Sequence, residues 1–226
     1  MCYIKKILAG VLILAMMLGL VVAGEAASSP SVVPTPANPN YDPATGNDTE
    51  TAQNGVQVIF HIDGDTSTII DVHPVEGSNG TSVNAYGGYD ADGNYTPATQ
   101  VGDGEHGVMD SKPGQQITTF EVTSGDSEVT INSYAFKGSK VKKVKIHGRK
   151  VKFNKNAFKG TKQKTVSIYL KQVKKASDVS VAKGAFKGLS SKSKIYVSKK
   201  NMSKKEYNKL VKKLRKAGFK GKVIRN

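Results

Sequence analysis

Cysteine is nearly absent from this chain, and so are the local motifs of catalytic sites. The one cysteine among the 226 residues is Cys2, which lies ahead of an apolar run and not at its end, where a lipid would be attached. If Cys2 is removed with an export signal, the mature chain has no cysteine, which excludes disulfides, cysteine nucleophiles and thiolate metal sites. The sequence also lacks G-x-S-x-G, H-E-x-x-H and a glycine-rich phosphate loop, which mark common catalytic and nucleotide sites. We therefore predict a protein that is not an enzyme, with no catalytic residue, no cofactor and no metal.

Two groups of side chains come nearest to a metal site. His61, Asp63 and His73 flank a predicted hairpin and would have to meet across it to bind a metal ion. The run from Asp90 to Asn94 resembles a calcium loop, but its glycine comes too early and no glutamate stands at the required position. Turn formation and solvation are the simpler interpretation of both groups.

Each half of the chain has very little charge of one sign. Residues 28–130 contain 15 acidic residues and one basic residue, whereas residues 131–226 contain 31 basic and two acidic residues. The formal net charge of the whole chain is +16. Asymmetry of this size governs partners more than fold. It predicts attraction between the halves, within or between molecules, and attraction of the basic half to anionic polymers such as teichoic acids, sulfated or uronic glycans, nucleic acid or anionic lipid.

The first 54 residues have the composition of an export signal and a linker. A short positive start, Met1–Lys6, precedes an uncharged apolar run over residues 7–23, and small residues follow. This pattern predicts a cleaved signal peptide over residues 1–27. The alternative is an uncleaved membrane anchor, although the run is barely long enough to span a bilayer. Residues 28–54 are rich in proline, serine and threonine and predict a disordered linker.

Residues 55–116 form an acidic segment rich in glycine and aspartate. Apolar and polar residues alternate from Val56 to Ile62, and a turn sequence Asp-Gly-Asp and a second stretch over Ser67–Val72 follow. The pattern predicts a β-hairpin. Whether the whole segment is a small β domain or a loop-rich region stays open. Because residues 28–116 bring few apolar side chains, we expect them to contribute little to the stability of the residues from Ile117 onward, which should fold alone.

The second half of the chain repeats one tetrapeptide. Ala-Phe-Lys-Gly occurs at Ala135–Gly138, Ala157–Gly160 and Ala185–Gly188, and the copies start 22 and 28 residues apart. Apolar pairs spaced two apart precede and follow each copy: Val129 and Ile131 with Val144 and Ile146, Val151 and Phe153 with Val166 and Ile168, and Val179 and Val181 with Ile195 and Val197. Each pair places two side chains on one face of a strand. A period of this length predicts stacked coils with two short parallel strands each, and the motif phenylalanines in one buried column.

The repeat resembles the BspA-type leucine-rich repeats of secreted and cell-surface bacterial proteins. That family's coil reads approximately I-x-x-x-A-F-x-x-(C/G/T)-x-x-(L/V)-x-x-(V/I)-x-(I/L). The matching residues here are Ile131, Ala135, Phe136, Val141, Val144 and Ile146 in the first copy, and Phe153, Ala157, Phe158, Val166 and Ile168 in the second. The resemblance covers about residues 117–226 and departs from the family at Gln163, which occupies the slot of Val141. It implies leucine-rich-repeat coils over residues 117–200, a place outside a bacterial cell, secreted or at its surface, and a role in adhesion.

Residues 201–226 predict a helix and a last strand that cap the coils. Ser203 and Glu206 have the spacing of a capping box. An apolar stripe at helical spacing follows at Tyr207, Leu210, Val211, Leu214 and Ala217. A lysine-rich amphipathic helix can also lie on a membrane surface or a partner. The predicted fold class is a β-rich solenoid of about three short leucine-rich-repeat-type coils, closed by this amphipathic helix and preceded by a small β or loop-rich acidic segment.

The candidate ligand-binding residues should project outward from the coils. They are Lys143, Lys145, Lys152, Lys194 and Tyr196. Lysine acts as a point charge with little geometric selectivity, and a tyrosine beside it can stack on a sugar. The simpler alternative is that these lysines only solvate the surface.

The predicted function follows from these residues and from the resemblance. It is a secreted or cell-surface, non-catalytic repeat protein with a basic surface that binds an anionic polymer, such as a cell-wall or host glycan, or a protein partner. No specific nucleic acid is expected, and the membrane is contacted only through the signal segment if that is uncleaved. The alternative is a wall-retained structural protein held by its charge to an anionic cell-wall polymer.

Overall fold

The computed structural model describes residues 38–226. The predicted signal peptide and residues 28–37 of the predicted linker lie outside the described residues. The described part of the chain forms fifteen strands, one α-helix and two short 3-10 helices, at Gly114–Gln116 and Ala176–Asp178. The strands and the α-helix are β1 (Tyr41–Asp42), β2 (Asn47–Thr51), β3 (Val56–Asp63), β4 (Thr66–Pro74), β5 (Ser82–Ala85), β6 (Gly87–Tyr89), β7 (Tyr95–Val101), β8 (Thr119–Thr123), β9 (Glu128–Ile131), β10 (Lys143–His147), β11 (Lys150–Phe153), β12 (Ser167–Leu170), β13 (Val179–Val181), β14 (Lys194–Val197), α1 (Lys204–Lys216) and β15 (Lys222–Arg225).

Two sheets contain these strands. The nine-stranded sheet has the order β1-β2-β3-β4-β7-β9-β11-β13, with β6 paired to β7, and the six-stranded sheet has the order β5-β8-β10-β12-β14-β15. Strands β1 to β4 pair antiparallel, as do β6 and β7. All other described pairs are parallel. The architecture is therefore mixed α/β, with two mostly parallel, open sheets and a single helix in the described part of the chain.

The predicted β-rich solenoid, with its separate acidic segment, is wrong as the fold class. Three coils alone would begin both sheets near Ile117. Instead β7 pairs with both β4 and β9 in one sheet, and β5 pairs with β8 in the other. The antiparallel meander β1–β4 extends the first sheet further. The physical reason is that the acidic segment carries its apolar side chains on one face of each strand, and it buries that face by joining both sheets.

Alternating burial along the strands produces one core. Val56, Val58, Phe60 and Ile62 of β3 are buried, and the residues between them are partly or fully exposed. Most of the longer strands alternate in the same way, and apart from the buried Asp48 of β2 their charged side chains lie on the outer faces. The buried apolar residues of both sheets belong to a single cluster that continues from the acidic half into the basic half.

The repeated tetrapeptide forms the turn that leads from the nine-stranded sheet to the six-stranded sheet. The Phe136 and Phe158 rings stack with centroids 4.8 Å apart, and those of Phe158 and Phe186 with centroids 6.0 Å apart, so the buried phenylalanine column is confirmed. Successive turns also hydrogen-bond: the Phe136 N–H donates to the Ala157 carbonyl at 3.2 Å. Gly188 has φ of +106°, and a Cβ there would lie 2.5 Å from the Phe158 carbonyl oxygen, so only glycine fits.

The second strand of the middle copy lies two residues later than predicted. Val144 pairs with Ile168, and Ile146 pairs with Leu170, whereas the sequence frame matches Val144 to Val166. Apolar residues recur at every second position from Val166 to Leu170, so the pattern permits two registers that keep the same face inward. Strand pairing selects the later one.

The C-terminal helix is confirmed at α1, and it covers the end of the nine-stranded sheet. The Ser203 hydroxyl caps it by accepting from the Glu206 N–H at 3.3 Å. Leu210 and Leu214 are buried. The Lys213 ammonium donates to the carbonyls of Ala176 and Val179, at 2.7 and 2.9 Å. The helix is thus fixed by apolar contacts and by hydrogen bonds to the chain that enters β13.

Residues 38–54 are ordered, which corrects the predicted disordered linker over this stretch. Strand β2 pairs with β3 over five residues. The fully buried Asp48 carboxylate accepts hydrogen bonds from the Asn38 amide at 2.9 Å and from the Tyr89 N–H at 2.8 Å. Polar contacts hold this strand, so a search for apolar periodicity misses it.

No helix within residues 38–226 is long and apolar enough to cross a membrane.

Candidate functional site

The outer face of the six-stranded sheet carries two rows of side chains in register. The first row is Ser82, Thr119, Lys143, Ser167, Lys194 and Lys222, and the second is Asn84, Glu121, Lys145, Tyr169, Tyr196 and Ile224. We call the part on β10, β12, β14 and β15 the tyrosine–lysine face. It contains four of the five predicted ligand residues, and parallel pairing brings these four together.

Three lysines of the first row are exposed on this face. Lys143, Lys194 and Lys222 all point to solvent. Lys194 and Lys222 stand on neighbouring strands, about 5 Å apart at the backbone, and Lys143 is two strands from Lys194, at about 10 Å. Ser167 occupies the place between Lys143 and Lys194. The row therefore presents separated positive charges at intervals that a linear polyanion can follow.

Tyr169 and Tyr196 form a stacked pair in the second row. Their ring centroids are 4.5 Å apart and the ring planes differ by 6°. The Lys171 ammonium lies over the Tyr169 ring, 5.4 Å from its centroid, which is within range of a cation–π interaction. Each tyrosine thus has one ring face covered by the other, and these two inner faces are closed to a ligand. The sequence suggested that Tyr196 stacks on a sugar. One face of its ring is already stacked on Tyr169, so a sugar could not bind to that face.

Lys145 is held in an ion pair and is not a free charge. Its ammonium lies 2.7 Å from Glu121 Oε2, and His147 Nε2 lies 2.6 Å from Glu121 Oε1. Burial opposes ionisation of Glu121, but Lys145 and His147 outweigh burial and hold the pKa of its carboxyl below its usual value. This group marks the boundary at which the acidic half meets the tyrosine–lysine face.

Lys152 lies away from the other four predicted residues. It stands on β11 in the nine-stranded sheet, in register with Thr130 and Ser180, and it is exposed. Because its neighbours Val151 and Phe153 point into the core, Lys152 points outward from the opposite side of the molecule. It belongs to a different surface.

Sequence reasoning missed Tyr169 and the lysines of the repeat itself. Tyr169 was missed because the frame placed its strand two residues too early. Lys137, Lys159 and Lys187 are the lysines of the three tetrapeptides, and all are exposed along the turn edge, which we define by these three residues. The Lys137 and Lys159 ammonium groups lie 6.0 and 5.3 Å from the Tyr134 ring centroid. Recurrence of lysine in each copy was the signal that could have identified this row.

The two groups of side chains that came nearest to a metal site in the sequence do not form one here. His61 pairs with Thr68 and contacts the Asn47 side chain at 3.1 Å, while His73 pairs with Gln57. The Asp90 carboxylate accepts hydrogen bonds from the N–H groups of Asp92 and Asn94, as in a turn. Within residues 38–226 no group of three or more His, Cys, Asp or Glu side chains is arranged to hold a metal ion.

Comparison with known proteins does not assign this chain to a family. The resemblance to BspA-type repeats rests on the quoted residues and stays a prediction. No family model, no curated protein and no solved structure matches the chain.

Proposed function

We propose that the tyrosine–lysine face binds anionic polymers at the outside of a bacterial cell, and that the protein is a non-catalytic binding protein. The observation that supports this most is the exposed row Lys143, Lys194 and Lys222 in one register. Among the lysines of residues 38–226, only Lys145 and Lys209 form an ion pair with a carboxylate. The lysines of the row are therefore available to a polyanion.

The expected binding is electrostatic and weakly selective. Lysine presents a compact charge without the fork that lets arginine read a phosphate or carboxylate in two contacts. The stacked tyrosines add hydroxyl groups beside the row but have part of their ring surface covered. Affinity should therefore depend on charge density and salt more than on the identity of the polymer, as counterion release requires.

The test compares two triple variants with the same loss of charge. One replaces Lys143, Lys194 and Lys222 by Gln on the tyrosine–lysine face, and the other replaces Lys137, Lys159 and Lys187 by Gln on the turn edge. Binding to heparin and to polyphosphate is measured by titration between about 50 and 200 mM salt. We expect the first variant to lose more affinity and to show a shallower dependence on salt than the second.

Two results would count against this site. Equal losses in the two variants would mean that charge acts from all sides. Binding that persists at high salt, or that selects one uncharged sugar or protein, would mean that the face does not bind its ligand by electrostatic attraction.

A wall-retained structural role is the second candidate, and the spread of lysine favours it. Basic residues stand on the turn edge and on β11 of the nine-stranded sheet, where Lys150 and Lys152 are exposed, as well as on the tyrosine–lysine face. A protein with charge on several sides can bridge polymer strands instead of binding one. Equal losses in the two triple variants, together with release of the protein from cell walls by salt, would support this role.

A further inference from the structure

A concave site lies in the acidic half, where Asn84 and Tyr86 separate it from Lys145 at the border of the tyrosine–lysine face. Tyr86, Tyr89 and Tyr95 are 55, 39 and 50% exposed, and they are the exposed large apolar side chains within residues 38–226. They surround a pocket of about 340 Å³ whose floor includes the buried side chains of Val58 and Phe60. We call this the tyrosine pocket. Clustered exposed aromatic residues over an apolar floor are typical of a binding site.

Hydrogen bonds hold the aromatic walls in place. The Tyr95 hydroxyl donates to the Tyr86 carbonyl at 2.8 Å, and the Asn84 amide donates to the Tyr86 hydroxyl at 2.8 Å. The Tyr89 and Tyr95 rings meet at 60° with centroids 5.5 Å apart, which makes a corner and not a flat platform. Rings fixed in this way lose little freedom when a ligand enters.

Glycine next to these tyrosines permits the close packing that forms the pocket. A Cβ at Gly88 would lie 2.9 Å from Asp48 Oδ2 and 3.1 Å from Phe60 Cβ, and one at Gly87 would lie 2.2 Å from the Thr96 carbonyl oxygen. Strand β6 can therefore lie against β3 and β7 only with glycine at both positions. The pocket is a consequence of how this part of the chain packs.

The pocket is electrostatically suited to a cation. Glu50 lines it, and no lysine or arginine is among the residues that do. Burial of Glu50 and the nearby Asp48 carboxylate raise the pKa of Glu50, with Asn40 offsetting a part, because no positive partner stabilises its charge. An anionic ligand would add to this repulsion, whereas a cation would relieve it.

We propose that the tyrosine pocket binds an organic ammonium group, best a trimethylammonium group. Electron-rich tyrosine faces attract a cation, the apolar floor accepts its methyl groups, and Glu50 supplies the opposite charge. A saccharide fits less well, since the Tyr86 and Tyr95 hydroxyls and the Asn84 amide already make hydrogen bonds within the protein. The site is independent of the proposed polyanion binding, because it uses other residues and the opposite charge.

The experiment titrates the full chain with choline and with 3,3-dimethylbutan-1-ol, its uncharged isostere, by calorimetry. We expect choline to bind about tenfold more tightly than the isostere. Equal affinities would reduce the pocket to an apolar cleft and overturn the proposal, as would absence of choline binding at millimolar concentration.

Variants test whether choline binds in the tyrosine pocket, and they distinguish the contribution of the Tyr95 ring from that of the Glu50 charge. Tyr95→Leu should abolish most choline binding, whereas Tyr95→Phe keeps the ring and should retain most of it. Glu50→Gln should weaken choline several-fold and leave the isostere unchanged, and Glu105→Gln, a matched loss of an exposed acidic charge in the same half, should change neither. If Glu105→Gln weakened choline as much as Glu50→Gln, the attraction would be general and not a site, and the proposal would fail.

A vesicle arm distinguishes the source of the ammonium group. Cosedimentation with phosphatidylcholine vesicles, lost in Tyr95→Leu, would assign the group to a lipid head group. Binding of free choline without cosedimentation would assign it to a solute or a polymer. Cosedimentation that survives Tyr95→Leu while choline fails to bind would overturn the proposal.

Discussion

Phe158 is the residue whose side chain connects most of the repeated segment. Its ring stacks on Phe136 and Phe186 and also approaches Phe153, with centroids 6.4 Å apart. It is fully buried. Truncation here would remove contacts to both neighbouring turns at once, and the two sheets leave little freedom for the surrounding residues to close the cavity.

We expect Phe158→Ala to lower the free energy of unfolding by about 3–5 kcal/mol, measured by chemical denaturation. The matched control is Tyr196→Ala, which removes an aromatic ring that is also stacked but lies on the outer face. It should cost about 1 kcal/mol. Equal costs for the two variants would contradict a core organised around the phenylalanine column.

At the scale of single elements, α1 shows how one side chain can fix a helix to a sheet. Lys213 reaches past the helix to two carbonyls near β13, while Lys212 beside it is exposed. The two lysines have the same charge and nearly the same place in the helix. Only the hydrogen bonds differ.

Lys213→Ala should therefore lower the free energy of unfolding by about 1–3 kcal/mol, because it removes the side-chain donor of the Val179 carbonyl and leaves the Ala176 carbonyl with only the Val179 N–H. Lys212→Ala should change it by no more than about 0.5 kcal/mol. Thermal or chemical denaturation of both variants checks this. A similar small effect at both positions would show that water replaces the Lys213 ammonium without cost.

The elements also show what the sequence can and cannot predict. Alternation over Val56–Ile62 and the helical stripe from Tyr207 are strong local patterns, and β3 and α1 lie where they indicate. The fold class was wrong because strand pairing across Ile117 is a long-range event, and short strands such as β5 and β8 carry only two inward residues each. Tyr169 belongs to the candidate site because of the register in which β12 pairs with β10 and β14. The apolar residues Val166, Ile168 and Leu170 permit two such registers, so the sequence alone does not determine it.

At the scale of the whole molecule, the acidic half supplies part of the core. Its buried apolar residues include Val56, Val58, Phe60, Ile62, Ile69, Val72, Val83, Ala85, Ala98, Val101, Val108 and Met109. Strands β7 and β5 pair with β9 and β8. The sequence led us to expect that residues before Ile117 contribute little to stability. The structure argues against this, because these residues share both sheets and the core with the residues that follow Ile117.

A chain that begins at Ile117 should accordingly be unfolded or aggregated at moderate salt. It would expose β8 and β9 along their full length together with Phe120 and Ile131, which are buried in the whole chain, and hydrophobic burial dominates stability. Circular dichroism and sedimentation of this fragment beside residues 38–226 provide the measurement. A fragment that melts cooperatively at the same temperature would show that residues 117–226 are an independent domain.

The last strand of the six-stranded sheet has a consequence for how the molecule behaves in concentrated solution. β15 is the terminal strand in that sheet, and a parallel edge without cover is a template on which further chains can add strands and grow into fibres. The Tyr207 hydroxyl donates to the Val223 carbonyl at 2.8 Å and so occupies one acceptor of this strand. β15 carries Lys222 at its start and Arg225 at its end, and the Arg225 guanidinium also donates to the Met202 carbonyl at 2.8 Å. An incoming strand would meet positive charge at both ends of this edge. The same lysine-rich composition that attracts polyanions thus also opposes self-templated growth, and a polyanion that neutralises it would remove that protection.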